Sequence, residues 1–186
     1  MDPTQRFSGR AGYYLKYRPR YPRAVLETIE RDCGLTADAR VADIGSGTGA
    51  LTELFLANSN TVYAVEPNPE MRRTAERVLA AYPGFKSVAG RAEATTLQDR
   101  SVDYAVVGAA FHWFDLARAR LEFLRILRPP RWTMVAWNER EFESTPFLAA
   151  YDRLLREFAP DYARERHKST YDTAMAGFFG ATGFRE

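Results

Sequence analysis

The sequence predicts an α/β fold, doubly wound around a mostly parallel sheet. Short apolar runs rich in β-branched residues alternate with segments of helical period, as strands and crossover helices do. One such run is followed by three glycines within five residues. Another, Ser101 to Gly108, is almost unbroken in its apolarity, which suits a strand buried on both faces.

Taken in order, the first strand is Val41-Ala42-Asp43-Ile44, followed by glycines and by Leu51, Leu54 and Phe55 at helical spacing. Residues Thr61 to Glu66 form the second strand. Pro67 and Pro69 then open a helix whose predicted apolar face is Met71, Ala75, Val78, Leu79 and Tyr82. Phe85 to Ala89 is a short third strand and Ser101 to Gly108 the fourth. A helix over Asp115 to Leu127 is expected to bury Ala117, Leu121 and Leu124, and Arg131 to Trp137 is the fifth strand. Such units cross over right-handedly, and their ligands sit beyond the carboxyl ends of the strands. That rim holds Asp43 to Gly49, Glu66, Gly90 to Glu93 and Gly108 to Trp113.

Composition narrows the function classes. The 186 residues fit one domain, with an apolar fraction of 46% that excludes a disordered chain. Basic and acidic residues nearly balance at 26 and 24, so nucleic acid is not expected as a partner. The single cysteine, Cys33, permits no internal disulfide. Residues Met1 to Arg10 lack the apolar core of a signal peptide, and no apolar stretch has the length of a membrane span. A cytoplasmic protein without membrane attachment is the expectation. Two histidines and one cysteine make no zinc-type cluster, and no carboxylates have EF-hand spacing, so no metal is expected.

Gly45-Ser46-Gly47-Thr48-Gly49 permits a tight turn and close approach of backbone to a ligand, and it opens a helix whose amides can receive a polar group. With Ala50 it also satisfies the dinucleotide fingerprint. Glu66, seventeen residues beyond Gly49, suits two ribose hydroxyls in either case. Asp43 separates the two. A carboxylate two residues before the first glycine would repel a pyrophosphate, whereas it would favour a ligand carrying an ammonium and a sulfonium.

Asp43-Ile44-Gly45-Ser46-Gly47-Thr48-Gly49, followed by Val65-Glu66-Pro67-Asn68-Pro69-Glu70-Met71, resembles the first two motifs of class I S-adenosylmethionine-dependent methyltransferases. Within that family the likeness is to the small-molecule branch related to the trans-aconitate and quinone-pathway enzymes, and it runs from about Phe7 to Trp137. The resemblance implies a Rossmann-like methyltransferase fold and S-adenosyl-L-methionine as cofactor. It implies that Gly45, Ser46, Gly47 and Gly49 pass under the methionyl part, that Asp43 holds its amine, and that Glu66 takes the ribose hydroxyls. Met71, Ala92 and Glu93 would line the adenine.

Phe111-His112-Trp113-Phe114 places four ring-bearing side chains in a row. Consecutive residues leave a loop in different directions, so some of these should line a pocket or lid. The block resembles the Phe-His-Trp segment of the same branch. Phe111 and Trp113 are expected in a substrate pocket, and His112 is the candidate general base, beside the alternative of a packed histidine. The arm holding Tyr13, Tyr14, Tyr17, Arg18, Pro19, Tyr21 and Pro22 is too polar for a core strand and too aromatic for a linker. It resembles the segment that folds over the cofactor pocket. Arg18 would pair with the cofactor's carboxylate or an acidic substrate, and Tyr14 and Tyr17 would face the substrate.

The expected organisation is one methyltransferase domain over 1–186. An arm and helix over 1–36 form a lid, 37–138 is the cofactor-binding core, and 139–186 carries C-terminal helices. Phe147, Tyr151, Leu154, Leu155 and Phe158 mark one of these, and Tyr171 to Phe179 marks another. The family normally adds two strands beside the fifth. None is visible before Glu186, so the sheet is expected to lack them, which leaves an apolar edge at Trp132 to Trp137. Either the chain is a trimmed one, the favoured expectation, or that edge is covered by the C-terminal helices or by a second subunit in a homodimer. The function implied is methyl transfer to a small-molecule substrate by in-line displacement. A non-catalytic module acting through a partner, and a nicotinamide oxidoreductase, stand as alternatives.

Overall fold

A computed structural model of the chain describes residues 11–138, 144–159 and 168–180; the side chains of Ala11, Tyr14 and residues 168–173 lie outside that description. The chain divides into two compact units, 1–137 and 138–186. In the first unit the elements run α1 (Ala11–Tyr17), α2 (Arg23–Cys33), β1 (Arg40–Ile44), α3 (Ala50–Ala57), β2 (Thr61–Val65), α4 (Pro69–Val78), β3 (Phe85–Val88), β4 (Val102–Gly108), α5 (Leu116–Ile126) and β5 (Leu127–Ala136). One sheet of five strands, in the order β3-β2-β1-β4-β5, is parallel throughout. This is the predicted α/β architecture, the Rossmann-like methyltransferase fold. The order reverses beside β1, which puts a crevice at the carboxyl ends of β1 and β4.

The central strands are buried as their apolarity requires. Val41, Ala42, Ile44, Ala105 and Val107 have no exposed surface. Leu26 and Ile29 of α2 join Val41, Leu51, Phe55 and Val106 in one core cluster, so α2 is a wall of the core. Gly34, in the left-handed conformation, ends α2 by donating its N–H to the Glu30 carbonyl. Asn68 caps α4 by accepting from the N–H groups of Glu70 (2.9 Å) and Met71 (3.1 Å), with Pro69 in the first helical position.

Three details depart from the sequence expectations. Val78 does not share the inward face of Met71, Ala75 and Leu79; it is exposed. In α5 the phase is rotated: Ala119, Glu122, Phe123 and Ile126 are buried, whereas Ala117 and Leu121 are exposed. A row of residues one turn apart exists on either side of this helix, and the one carrying Phe123 buries more area. β5 begins at Leu127, before Arg131. Pro129 and Pro130 have no N–H for a ladder, and the pairing with β4 jumps across them from Val102↔Leu127 to Tyr104↔Trp132.

In the second unit, α6 (Pro146–Phe158) is capped by Thr145, which accepts from the Leu148 N–H at 3.2 Å. Its buried Asp152 accepts from Arg156 Nε at 2.7 Å, while Phe147, Leu154 and Phe158 are exposed. The last described helix is α7 (Lys168–Phe179), with Met175 and Phe178 buried. No helix among the described residues is long and apolar enough to cross a membrane.

Candidate active site

A cleft of about 760 Å³, counting its open mouth, lies at the crevice beyond β1 and β4. Gly45 and Gly47 form its floor and Glu66, Pro67 and Met71 one wall. Arg91, Ala92 and Glu93 form a second wall, and Gly108, Ala109, Ala110, Trp113 and Phe114 a third.

The floor depends on glycine for two reasons. Gly45 has φ +73°, and a Cβ there would stand 2.7 Å from the Cβ of Ala110. Gly49 has φ +89° at the start of α3, and its Cβ would meet Leu79 at 2.5 Å. Any side chain would combine backbone strain with a clash. The turn is held by the Gly45 and Ser46 N–H groups, which both donate to the Val65 carbonyl, at 2.9 and 3.2 Å.

Asp43 sits under this turn with no exposed surface. Thr52 Oγ1 donates to its Oδ2 at 2.6 Å, while Oδ1 has no hydrogen-bond partner among the described residues. Burial pushes the carboxyl up to about 7, opposed by the Thr52 hydrogen bond and reinforced by the charge of Glu66. Native proteins rarely leave a buried oxygen unmet, and where they do the atom often serves a ligand. Ser46 Oγ, a second buried atom without a partner, lies in the same turn.

Glu66 is buried at the end of β2. Its Oε2 accepts from the Gly47 N–H at 2.9 Å and its Oε1 from the Asn68 N–H at 2.8 Å. Burial raises its pKa, against the pull of these two amides and Arg72. Each oxygen keeps acceptor capacity for hydroxyls, so the acid is both a fastener of the glycine loop and a ligand group.

The second wall is bolted to α5. Glu93 Oε1 accepts from the Asp115 N–H at 2.8 Å. Glu122 Oε1 accepts from both the N–H and the hydroxyl of Thr95, at 2.7 and 2.6 Å. Arg125 donates to both oxygens of Glu122 and to the Leu97 carbonyl. Arg125 holds the Glu122 carboxyl down at about 2, the hydrogen bonds from Thr95 adding to the effect against burial.

The structure thus brings Gly45, Gly47, Glu66, Met71, Ala92, Glu93 and Trp113 to one cleft. Asp43 and Gly49 stand behind its floor. Phe111 points inward and is 3% exposed, so the ring facing the cleft beside Trp113 is Phe114. Helical turn geometry over Phe111–Trp113, not visible in an unbroken aromatic run, decides which ring points where. His112 is exposed, its ring centroid 4.5 Å from that of Trp113. Tyr17 is also exposed and stacks on Tyr13 at 6.3 Å; the Tyr14 side chain lies outside the described residues. Arg18 is half-buried, and burial lowers its pKa. Thr52, the hydroxyl that fixes Asp43, is a residue the sequence reading did not single out. Its signal is a polar residue on the inner face of an apolar helix. Among the described residues no cluster of metal-ligating side chains occurs.

Residues 42–132 match the family model described as a methyltransferase domain. An uncharacterized methyltransferase of Mycobacterium tuberculosis is 38% identical over 141 residues, which cover 75% of this chain and 55% of that protein. The malonyl-[acyl-carrier protein] O-methyltransferase of Methylococcus capsulatus is 37% identical over 94 residues, or 49% of this chain and 34% of that one. The chain therefore spans about half the length of the mycobacterial relative it matches. Among solved structures, a candidate S-adenosylmethionine-dependent methyltransferase from Methanococcus maripaludis shares the fold, with a TM-score of 0.67 at 23% identity over 88% of this chain and 77% of its own. A candidate type II methyltransferase from Anaeromyxobacter dehalogenans gives 0.61 at 30% identity, covering 74% and 56%. In its parallel sheet, in its glycine turn with Asp43 and Glu66, and in these matches, the chain is similar to S-adenosylmethionine-dependent methyltransferases, with a methyltransferase-domain match over residues 42–132.

Proposed function

We propose that the chain binds S-adenosyl-L-methionine in this cleft and transfers its methyl group to a small-molecule acceptor. The observation that carries this is Asp43, a buried carboxylate with one oxygen unmet beneath a glycine turn. A pyrophosphate would be repelled there, whereas an ammonium would satisfy the orphan oxygen. The residues present fit the cofactor. Asp43 and Arg18 would hold its amino-acid end, Glu66 its ribose hydroxyls, and Met71, Ala92 and Glu93 its adenine. When bound, the cofactor supplies a methyl group on a cationic sulfur, which an acceptor displaces.

The chain's own work is positioning and exclusion of water. Trp113 and Phe114 offer apolar faces beside the glycine floor for a flat or apolar acceptor. His112, at the rim, would take a proton from an acceptor that needs deprotonation. Carboxyl oxygens are the first acceptor class to try, because the Methylococcus relative is an O-methyltransferase of a malonyl group. The test is transfer of label from methyl-labelled S-adenosylmethionine to a panel of free and thioester-linked acids, phenols and amines. Label on an acceptor that vanishes in Asp43→Asn supports the proposal. No transfer to any acceptor, from a protein that binds no S-adenosylhomocysteine, rejects it.

A further inference from the structure

The loop after β3, which forms the second wall of the cleft, is fastened to α5 at two places among the described residues. The loop itself is stiff. Arg91 and Ala94 exchange N–H···O=C bonds at 3.1 and 3.0 Å, and a Cβ on Gly90 would stand 2.6 Å from the Thr95 carbonyl oxygen. The lower fastening is buried: Glu122 Oε1 accepts from both the N–H and the hydroxyl of Thr95. The upper one is a single hydrogen bond, from the Asp115 N–H to Glu93 Oε1 at 2.8 Å. Asp115 and Glu122 are separated by about 10 Å along the helix.

The upper bond sits where the third wall is made. Asp115 directly follows Phe114, and Trp113 and Phe114 both line the cleft, as Glu93 does from the other side. The Phe114 ring also reaches the floor, for a Cβ on Gly45 would stand 3.5 Å from its Cε1 and Cζ. Helix α5 does not need the bond to begin. Its cap is the Asp115 side chain, which accepts from the Arg118 N–H at 3.2 Å, and the N–H of a capping residue has no place in the helix ladder. A carboxylate brought across the cleft to that left-over N–H is favoured by the amino end of the helix. What the bond fixes is the chain just before it, which carries the two rings.

We propose that Glu93 is a positioning residue: through the Asp115 N–H it sets the distance of Trp113 and Phe114 from the second wall, and so the width of the gap that an acceptor enters. The meaning of that gap for methyl transfer rests on the function proposed above; the brace itself does not. The buried Glu122 anchor keeps α5 on the loop whether or not the upper bond is made. Loss of the Glu93 bond therefore loosens the aromatic wall without releasing the helix.

The test removes the bond from each side. Glu93→Ala takes away the acceptor. Asp115→Pro takes away the donor and suits the backbone, since Asp115 has φ −72° and Phe114 before it is extended, with ψ 146°. Asp115→Ala, which loses the cap but keeps the N–H, is the control. The readout is acrylamide quenching of Trp113 in a Trp132→Phe, Trp137→Phe background, where it is the sole tryptophan. The expected result is a quenching constant raised about twofold by Glu93→Ala and by Asp115→Pro, no further by both together, and little changed by Asp115→Ala. Equal quenching in Asp115→Pro and Asp115→Ala, or additive effects of the two removals, overturns the proposal. Calorimetric titration with S-adenosylhomocysteine separates positioning from direct contact. Both removals should weaken it alike, by about threefold; weakening by Glu93→Ala alone would make Glu93 a ligand contact and overturns the proposal too. If wild type binds none, the function proposed above falls, and the quenching series still decides the brace.

Discussion

Asp43 and Glu122 are both buried acids, yet their surroundings drive them in opposite directions. Asp43, under the glycine turn, has Thr52 as its donor residue and one oxygen unmet among the described residues, and burial raises its pKa to about 7. Glu122, on α5, has Thr95 and Arg125 supplying donors to both oxygens, and Arg125 depresses it to about 2. Burial is common to the two; satisfaction is not. A fully paired acid belongs to the scaffold, here holding the wall that carries Ala92 and Glu93. A half-paired one is kept at a cost to the fold and marks where a ligand is to complete the set.

The largest expected effect is on the scaffold side. Glu122→Ala should destabilise the chain by about 2–3 kcal/mol, because it leaves the Thr95 donors unmet and takes one acceptor from Arg125, which keeps Asp99 and the Leu97 carbonyl. Urea unfolding measures this, and a loss below about 1 kcal/mol would break the contrast. Next comes the acid limb of stability. The unfolded Glu122 titrates near its ordinary value of 4.5 and the folded one at about 2, so its contribution is complete above 4.5 and disappears as pH falls through 2. Glu122→Gln should flatten that part of the stability–pH curve.

Asp43 should behave in the opposite sense. Its folded pKa of about 7 exceeds its ordinary 3.8, so the folded chain holds a proton that the unfolded chain releases. Stability therefore falls as pH rises from 3.8 to about 7, and stays lowered above it. Asp43→Asn should melt higher than wild type on the alkaline side of that window, by about 1 kcal/mol, with the gain vanishing in acid. A variant less stable than wild type at every pH would mean that the carboxylate is not strained.

Much of this was legible in the sequence, for physical reasons. The strands at Val41, Thr61 and Val102 are apolar because they are buried on both faces, and the glycines after β1 are needed because Ala110 and Leu79 crowd them. Pattern reading fails where the partner is distant in sequence. Nothing local to Leu121-Glu122-Phe123 says that the glutamate turns inward, since its partner Thr95 lies 27 residues away. The aromatic run at Phe111 conceals which rings face the cleft, because one helical turn decides it. Tyr21 reads as part of a polar, aromatic arm until the sheet places Gly108 beneath it.

The most direct test of the central claim, that Asp43 awaits a cationic ligand group, is calorimetric titration with S-adenosylhomocysteine on wild type and Asp43→Asn across the neutral range. The account predicts micromolar binding, about −8 kcal/mol, that strengthens as the carboxylate ionises and weakens about a hundredfold or more in the variant. Equal affinity in the two proteins, or none in a folded wild type, would contradict it.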